Sequence, residues 1–152
     1  MNLKHIIISV SIIALGVLSI NAIRKGEPKD SVDKRKFIVN ITEVKEGGPP
    51  KKPVEDEYEF KGGKFFSQFL MDKFDIKWVK YEITKDSTYT DEEQNENHYT
   101  EAEISTTDAT DQTVILKCVV DNYDVSGEIK VTKKDKLKKK YEFTGKEKPK
   151  KK

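Results

Sequence analysis

A chain of 152 residues with 35% apolar and 37% charged residues has room for one domain but not for two well-filled cores. The low apolar share demands a thin core, as in a single barrel or sandwich, and a net charge of +2 speaks neither for nor against nucleic acid. The single cysteine, Cys118, excludes an internal disulfide, so the fold must rest on its own packing.

The chain begins with Lys4 and an uncharged run over residues 6–20. Fifteen apolar or small residues behind a lysine fit the central region of a signal peptide better than a full membrane span. Cleavage after Ala22 is expected, with Ile20 as a poor match three residues before it. Arg24 and Lys25 follow directly, so an uncleaved N-terminal membrane anchor is the alternative. Either way the chain from Phe37 onward is expected outside the cytoplasmic membrane, in the periplasm or beyond. No cysteine lies near residue 20, which excludes a lipid-modified N-terminus there. Residues 23–35 are charged, contain Pro28 and read as a flexible tether.

Residues 36–44 alternate, with Phe37, Val39 and Ile41 on one face, and predict a strand. Residues 45–53 hold two glycines and three prolines and predict a loop, placed as a flap over one end of the domain. Strands at 55–60 and 64–67 meet across Gly62-Gly63, a pair suited to a turn needing positive φ at both positions. That turn sets Phe60 opposite Phe65 and Tyr58 opposite Ser67, with Glu57 and Glu59 on the other face. Phe66, Phe69, Leu70 and Phe74 then form a short helical stripe with Ser67 as its N-cap.

Residues 77–84 alternate through Val79, Tyr81 and Ile83, and Trp78 falls on the opposite face. This implies either a bulge or a tryptophan at the rim. The polar, acidic stretch 86–97 predicts a loop. Strands follow at 98–106, at 113–120 and from Val125 to Val131, and Tyr141 and Phe143 mark the last. Residues 146–152 read as a basic tail. Eight strands at about ten-residue spacing, without room for crossover helices, predict an antiparallel all-β sheet. Its natural closure is an eight-stranded up-and-down barrel over residues 36–145, with a two-layer sandwich as the alternative.

The residues carrying this pattern are Asp56-x-Tyr58-x-Phe60-x-x-Gly63-Lys64-Phe65-x-Ser67, Tyr81, Ala102, Val120, Val125-x-Gly127 and Tyr141-Glu142-Phe143-Thr144-Gly145. Over residues 37–146 the chain resembles a group of small exported bacterial proteins with a lipocalin-like, or calycin-like, barrel. The resemblance implies a barrel and an envelope location. The chain departs from that group at Leu116 and Cys118, lacks a cysteine in the helix, and lacks the N-terminal Gly-x-Trp of true lipocalins. No lipocalin ligand is therefore carried over.

Chemistry-bearing motifs are sparse. His98 is the one imidazole beyond the N-terminal segment, and its strand is expected beside that of Cys118. A Cys–His nucleophile is conceivable there, against an ordinary buried thiol. Neither a phosphate-cradling glycine loop nor an H-E-x-x-H or C-x-x-C motif occurs, so no enzyme and no cofactor is expected. Residues 82–111 hold ten acids against one lysine, without the spacing of a preformed calcium loop, so no metal is expected. Residues 133–152 hold eleven lysines against three acids, which suits an anionic envelope surface. The absence of arginine and of exposed, interleaved aromatics there argues against nucleic acid. The bulky inward set Tyr58, Phe60, Phe65, Tyr81, Tyr141 and Phe143 fits two readings. It either lines a barrel that carries a small apolar ligand or fills the lumen. A mostly packed interior is expected, with any ligand site shallow and lined by Tyr58, Trp78 and Tyr81. Oligomeric state is not legible.

Overall fold

The computed structural model describes residues 32–151. The signal or anchor segment and residues 23–31 of the tether lie outside the described residues. Nine strands form one sheet: β1 (Lys36–Val44), β2 (Val54–Lys61), β3 (Lys64–Ser67), β4 (Val79–Lys80), β5 (Glu82–Thr90), β6 (Glu96–Thr107), β7 (Gln112–Asp121), β8 (Asp124–Lys133) and β9 (Lys136–Glu147). One helix, α1 (Gln68–Phe74), follows β3. The strand order is β4-β3-β2-β1-β9-β8-β7-β6-β5, every pairing is antiparallel, and the sheet curls into a nearly closed barrel.

The ninth strand is the expected fourth divided in two. At Tyr81 the chain hands over from one edge of the sheet to the other. Lys80 pairs with Lys64 on β3, Tyr81 donates its N–H to the Gly63 carbonyl at 3.3 Å, and Glu82 pairs with Glu103 on β6. A bulge between Ile83 and Lys85 adds the twist that near-closure needs. The expected loop at 86–97 is corrected. Asp86–Thr90 continue β5 against β6, and only residues 91–95 turn. Ser87, Thr88, Tyr89 and Thr90 are tolerated well in a strand, and pairing with β6 satisfies their backbone groups whatever the acidity of the tip.

The Gly62-Gly63 hairpin forms as expected. Both glycines have positive φ, 60° and 75°, and Tyr58 pairs with Ser67 and Phe60 with Phe65. Ser67 caps α1 by accepting the Leu70 N–H on its hydroxyl at 3.1 Å. Asp75, in the left-handed region, ends the helix by donating to the carbonyls of Leu70 and Met71. Phe69 and Leu70 turn inward, and Phe69 meets the Tyr141 ring edge-on at 5.1 Å, so α1 closes one end of the barrel.

The opposite end is closed by polar groups. Residues 32–35, expected as the close of the tether, belong to the folded body. Val32 is fully buried, Lys34 donates its N–H to the Phe60 carbonyl, and Phe60 donates to the Arg35 carbonyl. Arg35 stacks 5.0 Å from the Phe37 ring centre, pairs with Glu147 at 2.8 Å and donates to the Asn122 carbonyl. The body also runs past residue 145, because Lys146 and Glu147 complete β9.

Candidate functional site

The lumen is built by alternation. Val39, Asp56, Tyr58, Phe60, Phe65, Leu116, Cys118, Ile129 and Phe143 all face inward and are buried. Their rings form a continuous cluster. Tyr58 meets Phe65 at 4.9 Å and Phe143 at 5.0 Å, and Phe60 meets Phe65 and Tyr81 at 5.1 Å each. The glycine of β8 lets this cluster close. A Cβ on Gly127 would stand 2.0 Å from the Lys117 carbonyl oxygen and 2.7 Å from the tip of Phe143. The ring thus occupies the space a side chain at 127 would take.

Asp56 and the Tyr58 hydroxyl are polar groups within this interior. Asp56 accepts the Ser67 hydroxyl at 2.6 Å and the Phe69 N–H at 3.3 Å. Burial pushes its carboxyl above the ordinary aspartate value, and these hydrogen bonds pull the other way. The Tyr58 hydroxyl is fully buried without a hydrogen-bonding partner among the described residues. Burial first, then the nearby Asp56 and Cys118, drive its pKa well above 10, so it stays a neutral phenol.

The expected ligand residues do not converge. Tyr58 and Tyr81 are both buried, each packed against neighbouring phenylalanines. Trp78 lies on the outer surface, 43% exposed, with its ring 5.2 Å from that of Phe66. A shallow pocket lined by Tyr58, Trp78 and Tyr81 together is thus corrected. The sheet separates the tryptophan from the two tyrosines: Phe66 takes the outward parity of β3, and Trp78 stands one residue before Val79, the partner of the inward Phe65.

His98 and Cys118 do lie on adjacent strands, but the register sets Cys118 opposite Ala102, four residues from His98. At about 3.3 Å per residue that is roughly 13 Å along the strand. Burial raises the Cys118 thiol to about 12, and the His98 ring bonds Asp86 at 2.8 Å. The pair cannot act as nucleophile and base at that separation. The acidic turn is organised by its own hydrogen bonds. Asp91 accepts the backbone N–H of Glu93 and Asn95 and the side-chain amides of Asn95 and Asn97, which hold its carboxyl below the ordinary range. Among the described residues no group of three or more His, Cys, Asp or Glu side chains is placed to hold a metal ion.

Clefts open instead at the two ends of the barrel. The C-terminal segment folds back beside β1 and frames a cleft of about 470 Å³ with Lys34, Lys36, Lys148, Lys150 and Lys151. Lys148 donates its N–H to the Lys36 carbonyl and its ammonium to Glu57, so the expected tail is tied down at its root. At the other end, two cavities of about 550 and 170 Å³ share Glu43 and Lys139. Sequence reasoning missed this second basic region as a surface feature. Its lysines are spread over residues 45–52, 73 and 138–140, and only the barrel brings them together.

No protein-family model, curated protein or solved structure matches the chain.

Proposed function

We propose that this chain is an exported, non-enzymatic envelope protein, a lipocalin-like interaction module that works through the outer surface of its barrel on an anionic partner. The observation that carries this reading is the filled lumen. Tyr58, Phe60, Phe65 and Phe143 are each at most 2% exposed and pack ring against ring where a carrier would need open volume. Lysines, by contrast, frame clefts at both ends of the barrel. The N-terminal apolar run behind Lys4 supports export.

Two titrations test the reading. A fluorescent fatty acid, followed by its own emission, should show no saturable one-to-one uptake at submicromolar concentration. Retention on an anionic matrix should fall steeply between low and moderate salt. Stoichiometric, tight uptake of the fatty acid would establish the apolar-ligand carrier instead.

A further inference from the structure

We propose that the barrel end formed by the β8–β9 hairpin and the β1–β2 loop docks onto an anionic phospholipid bilayer. This rests on the outward-working module proposed above and names its face and its partner.

The first observation is where aliphatic surface is exposed. Val44, Val54 and Leu137 are the large aliphatic side chains left open to solvent among the described residues, at 36%, 51% and 54% exposure, and all three lie at this end. Leu137 is placed there by a distortion of the sheet. Strict alternation from Phe143 and Tyr141 would send residue 137 inward. A bulge pairs Val131 with Lys139 but Thr132 with Leu137, which moves the leucine to the outer face. It projects beside the Lys134-Asp135 turn, whose two residues have φ of 49° and 59°. Val44, on the neighbouring strand, lines the same 550 Å³ groove.

The second observation is the charge around these side chains. The two cavities of this end are lined by seven lysines against two glutamates. One of the two, Glu43, is already held by Lys51 at 2.6 Å, and Lys51 with Lys139 and Lys45 keeps its carboxyl below the ordinary range. Lys45, Lys138 and Lys139 make no ion pair among the described residues, and Lys140 shares Glu128 and Glu142.

Lysines alone suit any polyanion, and exposed aliphatics alone suit any apolar partner. A bilayer with anionic headgroups rewards both at once. The lysines meet phosphates while Leu137 and Val44 enter the boundary between headgroups and acyl chains. A soluble polyanion offers nothing to Leu137.

The test places an environment-sensitive fluorophore at residue 137 of the full chain through Leu137→Cys. Cys118 does not compete for the label, because it is buried and its thiol is raised to about 12. The label reports residue 137 alone, so partitioning of the N-terminal apolar segment does not produce the signal. Vesicles of phosphatidylcholine with about 30 mol% phosphatidylglycerol should shift its emission to the blue and raise it several-fold, whereas phosphatidylcholine alone and soluble polyphosphate should not. Lys138→Glu with Lys139→Glu should weaken the vesicle response at least tenfold, since each lysine near such a surface is worth about fivefold in partitioning. An unshifted label on protein that binds the anionic vesicles would overturn the proposal and move contact to another face. An equal shift on neutral vesicles would overturn the role of the lysines. Binding to polyphosphate without vesicle binding would overturn the bilayer and leave the interaction module standing. The module itself falls to stoichiometric ligand uptake in the lumen or to salt-insensitive retention on the anionic matrix, both separate measurements.

Discussion

Ser67 and Asp56 face each other inside the barrel, the serine hydroxyl 2.6 Å from the aspartate Oδ2, and join strand β2 to the first turn of α1. Both side chains are nearly inaccessible, and the serine oxygen also accepts the Leu70 N–H. This one contact fixes the helix that closes the barrel and places a carboxyl in an apolar surround.

Asp56 therefore carries a pH dependence of its own. Its folded pKa is raised above 3.8 chiefly by burial, so the folded state holds the proton more tightly than the unfolded chain does. The stabilising contribution is fully present below 3.8 and is lost as pH rises through the raised folded value. Asp56→Asn should remove this slope while keeping the acceptor for the Phe69 N–H. Urea unfolding of both proteins across the acid range would show it as a stability difference that changes with pH. A constant difference would mean that Asp56 titrates as an ordinary surface aspartate.

Phe60 touches Phe37, Phe65 and Tyr81 and has no exposed surface. Phe60→Ala should cost about 3–5 kcal/mol in urea unfolding, the range for deleting a buried phenylalanine. A loss under about 1 kcal/mol would contradict the packed lumen.

Gly127 is constrained by space. A methyl there meets the backbone of β7 at 2.0 Å, and backbone cannot step aside as a flexible side chain would. Gly127→Ala should cost at least about 3 kcal/mol, the upper end for overpacked cores. Gly48→Ala, whose Cβ meets nothing nearer than 3.9 Å, serves as the control and should be nearly silent. Comparable losses at both positions in thermal unfolding would remove the close approach of β7 and β8 as the cause.

Truncation separates body from tail. Removing residues 149–152 takes away the exposed Lys150 and Lys151 and should leave stability unchanged within about 0.5 kcal/mol. Removing residues 146–152 also deletes Glu147, and with it the partner of the half-buried Arg35 guanidinium. That shorter chain should lose about 2–4 kcal/mol, because the Arg35–Glu147 ion pair goes together with the backbone bonds of Glu147 to Tyr123 and of Lys148 to Lys36. Equal stability of the two truncated chains by urea unfolding would show that the Arg35–Glu147 pair contributes nothing.

Most strands are legible in the sequence, because each shows one half-buried face and a period of two. Gly62-Gly63 by itself sets the β2–β3 register, since the turn type fixes the partners. Phe69, Leu70 and Ser67 likewise announce α1. The extent of β5 is not legible. Asp86 to Thr90 carry no apolar alternation, because that segment is exposed on both faces, and only pairing with β6 makes it a strand.

The candidate surface divides the same way. Periodicity settles which side of a strand a residue takes, so it correctly puts Tyr58 inside and Trp78 opposite to Tyr81. It cannot say whether residues from separate strands meet. The gap between His98 and Cys118 depends on the β6–β7 register, and the outward turn of Leu137 depends on a bulge that breaks the very alternation the sequence shows. Local pattern determined the faces of this barrel. Inter-strand register and its two bulges, which answer to packing of the whole sheet, decided what those faces bring together.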